Sequence, residues 1–563
     1  MSGDHRLRIL ILGGYGTFGG RLAMLLAGEP RLTLLIAGRS QAKAEAFCRT
    51  LGGAAETAPL AFDRDGDAAQ IAAAGADIVV DATGPFQAYG DAPYRVVEAC
   101  IAAGADYLDL ADGADFVAGI GRFDEAAKAR GVAVLSGVSS FPVLTAAVVR
   151  HLARGLAPVD SIEGGIAPSP YAGVGLNVIR AIASYAGREV RLTRDGAAAT
   201  GRALVETRRW TIAPPGRLPL RSTRFSLVDV PDLRLLPALW PGLRGIWIGA
   251  GPVPAILHRG LNALARLVRI GLIPTLRPLA PLFHAAINRL RWGEHRGGMI
   301  VIVRGRNAAR EQVERSWHML AEGDDGPLIP SMAAAAVILR RLQGQRPAPG
   351  ARAATEALEL ADYQPLFAGR AIVHGCREVS AATAGQPLYR RALGEAWAEL
   401  PEPVRAMHDL SDDRRVAGRA EVERGTGLMA RLVAPLIGFP KAGRDVPVEV
   451  TFRIRDGVET WRRRFAGRAF ASTQRAGRGR SEGLLEERFG PVRVGLALVL
   501  EGDRLRLVVR RWSLLGLPMP PALAPGGEAW ETAADGRFRF HVEIRHPWTG
   551  LIVRYRGWLA PEG

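Results

Sequence analysis

The chain has 563 residues, of which 48% are hydrophobic and 23% charged, a balance typical of globular rather than disordered proteins. It has no run of eighteen or more apolar residues, so the sequence predicts no transmembrane helix. The net charge of +17 comes almost entirely from arginines that are spread along the chain. Because no nucleic-acid-binding motif accompanies this charge, we expect no nucleic-acid partner.

The cysteines and the N-terminal residues predict a cytoplasmic protein. Cys48, Cys100 and Cys376 lie far apart and form neither a C-x-x-C pair nor a disulfide framework, which favours a reducing compartment. The opening residues MSGDHRLRILILGG lack a signal-peptide cleavage pattern. The ten histidines show no metal-binding spacing, so we predict no metal site.

The first part of the chain alternates short apolar strands with helices. Strands are predicted at 8–12, 33–37, 59–62, 78–81, 107–110 and 132–135, with helices between them. This alternation is typical of an α/β domain with a parallel sheet, and right-handed crossovers would make the sheet doubly wound. We assign residues 1–155 to this domain.

The stretch ILILGGYGTFGG, residues 9–20, joins a buried strand to a glycine turn that opens a helix. Glycine lets a backbone approach a ligand closely, and a helix N-terminus directs unpaired N–H groups at it, so the pattern is typical of a pyrophosphate site. The alternative is a turn that only lets helix and strand pack. The candidate residues follow the G-x-G-x-x-G pattern and are Gly14, Gly16, Thr17, Phe18 and Gly19.

The end of the second strand, AGRSQAK, favours NADP over NAD. Proteins that bind NAD usually carry an acidic residue here, whereas this chain has Gly38, Arg39, Ser40 and then Lys43. Arginine can hold a 2′-phosphate through charge-assisted hydrogen bonds that a carboxylate would oppose. A solvated arginine at a strand end is the alternative. Asp63, after the third strand, either caps the adenine pocket or is a plain loop residue.

Four segments together resemble the saccharopine dehydrogenase-like (saccharopine reductase-like) family. They are GGYGTFGGRLA, AGRS, VVDATGPFQAYG and ACIAAGADYLDLADG, and a weaker likeness continues in WHMLAEGDDGPLIPS. The resemblance implies a Rossmann domain that binds NAD(P) and an oxidoreductase activity. Bacterial homologues also carry a C-terminal domain of unknown function, and residues 388–560 look like it.

The resemblance also implies further cofactor contacts after the fourth strand. It places Ala82, Thr83, Gly84, Pro85 and Phe86 beside the pyrophosphate and the nicotinamide ribose. A rigid loop without any cofactor contact is the alternative. Within the family, some members act on amino-acid adducts, and others resemble trans-acting enoyl reductases that act on lipid chains.

Residues 156–379 are predicted to form an α+β domain for substrate binding or oligomerisation, with an end that can pack back on the first domain. Between residues 235 and 300 a single acidic residue, Glu294, stands against eight arginines. The helix ILHRGLNALARLVR has one apolar and one basic face, so it can lie peripherally on the inner membrane, pack in a homodimer or pack in the core. The apolar face carries Leu257, Leu261, Leu264 and Val268, and the basic face Arg259, Arg266 and Arg269. This composition favours a lipid-like substrate.

The last part, residues 388–563, is predicted to be a β-rich antiparallel domain. Polar and apolar residues alternate in VEVTFRI, RLRLVVR and RFRFHVEIR, and the dipeptides Asp456-Gly457 and Asp535-Gly536 are hairpin signals. The basic and aromatic run at 461–480 is either a solvated strand face or a surface for an anionic ligand or lipid headgroup.

The sequence singles out no catalytic residue. Tyr89, Tyr107, Asp109 and Asp112 lie near the predicted sheet edge and could donate a proton, but their spacing favours none of them. We predict an NADP-dependent oxidoreductase that transfers hydride to or from a small or lipid-like substrate. The alternative is a non-catalytic protein that binds a dinucleotide or senses a membrane surface. A third hypothesis makes the C-terminal domain an independent ligand-binding module.

Overall fold

The computed structural model of this chain describes residues 6–66, 70–252 and 254–561. The helices along these residues are α1 (Thr17–Leu26), α2 (Gln41–Thr50), α3 (Gln70–Ala74), α4 (Arg95–Ala103), α5 (Ala114–Gly119), α6 (Asp124–Arg130), α7 (Thr145–Leu152), α8 (Leu176–Tyr185), α9 (Asp232–Leu239), α10 (Ala255–Arg269), α11 (Ala280–Arg289), α12 (Ile329–Leu342), α13 (Gln364–Phe367), α14 (Ala381–Ala384), α15 (Leu388–Leu393), α16 (Glu402–His408) and α17 (Leu428–Ile437).

The strands of the first two-thirds of the chain are β1 (Leu7–Leu12), β2 (Leu32–Gly38), β3 (Glu56–Ala61), β4 (Ile78–Asp81), β5 (Asp106–Asp109), β6 (Ala133–Ser136), β7 (Val159–Ala167), β8 (Glu189–Arg194), β9 (Ala197–Arg202), β10 (Thr207–Trp210), β11 (Thr223–Leu227), β12 (Gly245–Ala250), β13 (Arg296–Arg306), β14 (Gln312–Glu322), β15 (Gly350–Ala353) and β16 (Ile372–Val379). The remaining strands are β17 (Arg414–Arg424), β18 (Gly443–Arg455), β19 (Val458–Phe465), β20 (Arg468–Ala476), β21 (Leu485–Phe489), β22 (Val492–Glu501), β23 (Arg504–Leu514), β24 (Leu517–Pro518), β25 (Ala529–Ala534), β26 (Arg537–His546) and β27 (Gly550–Pro561).

The first sheet is parallel and has the strand order β15-β6-β5-β4-β1-β2-β3. Helices α1, α2 and α4 connect successive strands, as right-handed crossovers require. The central strand β1 is apolar because both its faces are covered, and Ile9, Leu10, Ile11 and Leu12 are fully buried. The predicted doubly wound Rossmann sheet is therefore confirmed. Its edge strand β15 returns from residue 350 to pair with β6.

The second sheet is mixed, in the order β10-β11-β12-β7-β13-β14-β16, which confirms the predicted α+β character of the middle region. Helix α10 is amphipathic, but two polar side chains are buried on it. The His258 imidazole lies 2.7 Å from Ser226 Oγ, and Asn262 Nδ2 donates to Leu204 O at 2.7 Å. The large apolar side chains left exposed at or near α10 and α11 are Ile256, Ile270, Leu272, Leu282, Leu290 and Trp292.

The third sheet closes on itself as an antiparallel barrel. Its order is β22-β21-β20-β19-β18-β17-β27-β26-β25-β23, and β23 pairs in turn with β22, while the short β24 adds to β23. The turns Asp456-Gly457 and Asp535-Gly536 both have positive φ at each residue, the geometry that joins tight hairpins. The predicted β-rich antiparallel domain is confirmed, and its apolar face becomes the barrel interior.

The chain forms two compact units. One comprises residues 1–208, 224–316 and 321–373, and includes the parallel sheet. The other comprises residues 209–223, 317–320 and 374–563, and includes the barrel. Strands β10, β11, β14 and β16 each contribute residues to both units. In the part of the chain that the structure describes, no helix has both the length and the apolar character needed to span a membrane.

Candidate functional site

A cleft of about 640 Å³ lies at the carboxyl edge of the parallel sheet. Parallel strands deliver their following loops to this edge, and ligands of such sheets bind there. The loops after β1, β2, β3 and β4 form one side of the cleft, and residues 175–181 at the start of α8 form another part of its wall. The volume falls within the range of about 300–1,000 Å³ that is usual for small-molecule sites.

The glycine turn after β1 is shaped by close backbone contacts. Gly13 has φ +72°, and a Cβ on it would lie 3.0 Å from Ala82 O. A Cβ on Gly16 would lie 2.9 Å from Gly13 O, and one on Gly19 only 2.3 Å from the same oxygen. These positions tolerate only glycine without a backbone shift, so α1 begins directly against the end of β1.

Two helix N-termini meet at the cleft. Gly16 is the N-cap residue of α1 and provides no side-chain hydrogen bond, so the first N–H groups of the helix lack a cap. The N-cap of α8, Gly175, also lacks one, and a Cβ there would lie 3.3 Å from Thr17 Oγ1. Asn177 Nδ2, in the first turn of α8, donates to Gly84 O at 3.1 Å. The positive ends of both helices therefore favour an anionic group between them.

The end of β2 is organised by Tyr15. Its ring lies so close to Gly38 that a Cβ there would sit 2.5 Å from a ring carbon, and its hydroxyl accepts the Ser40 N–H at 3.0 Å. Ser40 in turn caps α2, because its Oγ accepts the Lys43 N–H at 3.4 Å. Arg39 is exposed and lines the cleft. Across residues 6–66, 70–252 and 254–561, no carboxylate pairs with its guanidinium.

A polar network surrounds the end of β4. Asp81 is buried, and its Oδ1 accepts hydrogen bonds from Thr83 N at 3.0 Å and Thr83 Oγ1 at 2.5 Å. The Tyr89 hydroxyl lies 2.6 Å from Thr83 Oγ1, and the Arg64 guanidinium stacks 3.3 Å over the Tyr89 ring. Burial raises the pKa of Tyr89, so its hydroxyl stays protonated at neutral pH. Burial also raises the pKa of Asp81, against the hydrogen bonds from Thr83.

The four candidate proton donors fall into two groups. Tyr89 and Asp112 line the cleft, whereas Tyr107 and Asp109 are fully buried within the sheet. Gln87 Nε2 donates to Asp112 Oδ1 at 3.0 Å, and burial raises the pKa of Asp112. Asp109 accepts the N–H groups of Ala111 and Gly137, yet burial outweighs these bonds and raises its pKa to about 7.

The structure brings most of the predicted site residues to the cleft. Those that line it are Gly16, Thr17, Phe18, Gly38, Arg39, Asp63, Ala82, Thr83, Gly84, Pro85 and Phe86. Gly14 and Gly19 do not line it and instead permit close packing of the turn, while Ser40 and Lys43 form the start of α2. Asp63 Oδ1 accepts the Asp65 N–H at 3.1 Å and so also orders its own loop.

Sequence reasoning missed several residues of the cleft. Gly13 and Tyr15 stand beside the predicted motif and could have been included on that ground. Arg64 follows the predicted Asp63, but its place over Tyr89 depends on the loops after β3 and β4 meeting at the sheet edge, although β1 and β2 lie between those two strands. No sequence pattern identifies Asn177 as a site residue, because the sequence does not show that α8 lies over the loop after β4.

The residues at this edge fit a dinucleotide. Glycine positions that a Cβ would fill, uncapped helix N–H groups and an exposed arginine after β2 supply the three kinds of contact that such a cofactor needs. Among the described residues, no group of three or more histidine, cysteine, aspartate or glutamate side chains could hold a metal ion. The uncapped N–H groups of α1 and the Arg39 side chain lie where a dinucleotide in this cleft would contact them.

Two family models match the chain. Residues 9–135 match the saccharopine dehydrogenase NADP binding domain, and residues 400–559 match a domain of unknown function (DUF4166). These matches confirm the predicted resemblance at both ends of the chain. No curated protein matches the sequence.

Solved structures that resemble the chain include two dehydrogenases and a reductase. Apo saccharopine dehydrogenase (L-Glu forming) from Saccharomyces cerevisiae is 12% identical, with 66% of this chain and 99% of that chain covered and a TM-score of 0.46. Biliverdin reductase from Synechocystis sp. PCC 6803, solved with biliverdin and NADP+, is 14% identical, with 62% and 93% covered and a TM-score of 0.29. The WlbA dehydrogenase from Thermus thermophilus, solved with NAD and alpha-ketoglutarate, is 12% identical, with 63% and 94% covered and a TM-score of 0.29.

Proposed function

We propose that this chain, whose residues 9–135 match the saccharopine dehydrogenase NADP binding domain, is an oxidoreductase that prefers NADP(H) to NAD(H). The observation that carries the preference is Arg39, exposed on the cleft where NAD-binding domains usually place a carboxylate. Because its guanidinium has no carboxylate partner among the described residues, it can pair with a 2′-phosphate without breaking an existing ion pair.

Different segments of the chain would bind different parts of the cofactor. The turn at Gly13–Gly16 and the first N–H groups of α1 would hold the pyrophosphate, and Arg39 the 2′-phosphate. The Thr83–Pro85 loop and the start of α8 would border the reactive half of the cofactor. The bound cofactor supplies hydride chemistry, while Tyr89 and Asp112 are the two of the four candidate proton donors that line the cleft. A small or lipid-like molecule is the proposed substrate class.

Titration of the purified protein with NADPH and NADH tests this proposal. We expect wild type to prefer NADPH to NADH. Arg39→Ala should weaken NADPH binding by about 10- to 100-fold, because a hydrogen bond to a charged group contributes about 1.5–3 kcal/mol to the binding free energy. Its affinity for NADH should change little, because that cofactor lacks the 2′-phosphate.

Arg49→Ala is the matched control. Arg49 is an exposed arginine in the last turn of α2 and does not line the cleft, so its loss lowers the net charge equally without removing the proposed contact. If both variants lost the same amount of NADPH affinity, the effect of Arg39→Ala would come from the lower net charge and not from a contact with the 2′-phosphate. If neither cofactor binds, the oxidoreductase proposal is refuted, and of the non-catalytic alternative only the membrane-surface sensor is left.

A further inference from the structure

The barrel of residues 414–561 encloses a second, chemically different cavity. Its volume is about 540 Å³, and its wall is built largely from inward-facing apolar and aromatic side chains of the strands. Representative wall residues are Val450, Phe452, Phe465, Leu496, Leu507 and Phe540. This barrel has ten strands and is wider than barrels of about eight strands, whose interiors side chains just fill, so it leaves a cavity large enough for a small ligand.

Two buried polar atoms on this wall have no hydrogen-bond partner among the described residues. Gln474 is 1% exposed and Tyr389 is fully buried, and both line the cavity. Within the described part of the chain, neither Gln474 Oε1 nor the Tyr389 hydroxyl has a hydrogen-bond partner. Burying such atoms unpaired costs about 1–3 kcal/mol each, so their position points to a polar group that belongs to a ligand.

The charges around Gln474 select the kind of polar group. In the strand register, Gln474 stands opposite Glu459 on β19 and opposite Glu487 on β21. An anionic head at Gln474 would therefore lie between two buried carboxyl groups, neither of which can supply a counter-charge. Burial is the main cause that raises the pKa of Tyr389; Glu531, Glu487 and Glu459 raise it further and Arg463 lowers it, so more acidic than basic groups surround its hydroxyl.

The cationic groups at this end of the cavity are already engaged. Arg463 lies 3.4 Å from Glu487 Oε1 and donates to Ser472 Oγ at 2.9 Å. His408, which stacks on Tyr389, lies 2.6 Å from Glu531 Oε2. Arg463 is the single arginine or lysine on the described wall, so a carboxylate or phosphate ligand would find no uncommitted counter-charge there.

The mouth of the cavity is apolar. The turns at residues 490–491, 515–516 and 547–549 fall at one end of the barrel, because successive strands run in opposite directions. Leu515, Leu517 and Trp548 at this end are 79%, 69% and 75% exposed. Trp548 also lines the cavity, so the exposed apolar surface continues inward.

We propose that the barrel binds a neutral amphiphile, an apolar chain that ends in a hydroxyl group. The chain occupies the apolar cavity, and the hydroxyl donates to Gln474 Oε1 and pairs with the Tyr389 hydroxyl. This site is separate from the dinucleotide cleft and does not depend on the function proposed for that cleft.

Calorimetric titration of the full chain with 1-dodecanol and with dodecanoate, below their aggregation limits, tests the proposal. Wild type should bind one molecule of 1-dodecanol and bind dodecanoate at least about 10-fold more weakly. Gln474→Leu and Tyr389→Phe should each weaken 1-dodecanol binding by about 10-fold, the equivalent of one hydrogen bond of about 1.4 kcal/mol. Both variants should retain NADPH binding and melt no lower than wild type, since each removes an unpaired buried atom.

Thr473→Val is the matched control, because Thr473 is the exposed neighbour of Gln474 on the same strand. It should leave both affinities unchanged. Failure of wild type to bind 1-dodecanol, or unchanged binding by both cavity variants, would overturn the proposal. Tighter binding of dodecanoate than of 1-dodecanol would overturn the choice of a neutral ligand. A lower melting temperature in both variants would overturn the ligand-binding role of Gln474 and Tyr389, because it would show that the two side chains stabilise the fold.

Discussion

Replacing Asp109 with asparagine should remove a pH-dependent loss of stability. Asp109 ends β5 and is fully buried, and its Oδ1 accepts N–H groups from Ala111 at 3.0 Å and Gly137 at 2.7 Å. Asparagine keeps an oxygen at that position while removing the titrating proton. The variant should therefore preserve both hydrogen bonds.

The magnitude follows from the difference in pKa between the folded and unfolded chains. Burial raises the pKa of Asp109 from 3.8 to about 7, so between these values the folded protein binds more protons than the unfolded one. The free energy of unfolding must therefore decrease as pH rises from about 4 to 7 and then level off. About three pH units at about 1.4 kcal/mol each amount to about 4 kcal/mol.

The assay is urea unfolding of wild type and Asp109→Asn at several pH values between 4 and 8, followed by hydrogen exchange in peptides that cover β5. This readout suits a chain with two compact units, whose unfolding need not be a single transition. Relative to wild type, the variant should gain about 4 kcal/mol between pH 4 and pH 8. Asp91→Asn, at an exposed position, provides the baseline. A difference between wild type and Asp109→Asn that stays constant over this range would refute the reasoning.

Two further predictions concern the glycine turn. Gly19→Ala should lower the free energy of unfolding by about 1–3 kcal/mol and abolish NADPH binding, because the added Cβ would lie 2.3 Å from Gly13 O. Thermal melting measures the loss of stability, and titration with NADPH measures the loss of binding. Gly28→Ala, where nothing lies within 4 Å, is its control, and equal effects would contradict the packing argument. Tyr15→Phe should lower the free energy of unfolding by about 1 kcal/mol, because the Ser40 N–H loses its acceptor, the Tyr15 hydroxyl. An unchanged melting temperature would show that this hydrogen bond does not stabilise the fold.

Local signals in the sequence determined the elements of this fold. The apolar run at Ile9–Leu12 followed by glycines predicts a buried strand and a phosphate-binding turn, because backbone freedom and burial on both faces depend on a few neighbouring residues. Asp456-Gly457 and Asp535-Gly536 predict hairpins for the same reason, and both form. Alternation of polar and apolar residues likewise predicts which strand faces are buried.

Only the tertiary structure decided which side chains share an environment. Tyr89 and Tyr107 are equivalent in the sequence, but the first borders the cleft and the second is buried in the core. Helix α8 joins the site although it starts more than 150 residues after the glycine turn. Gln474 occurs within a basic, polar stretch, and only the pairing of β20 with β19 and β21 places it, buried, between two glutamates. The physical reason is that the charge, burial and partners of a side chain come from segments distant in sequence, which no local pattern records.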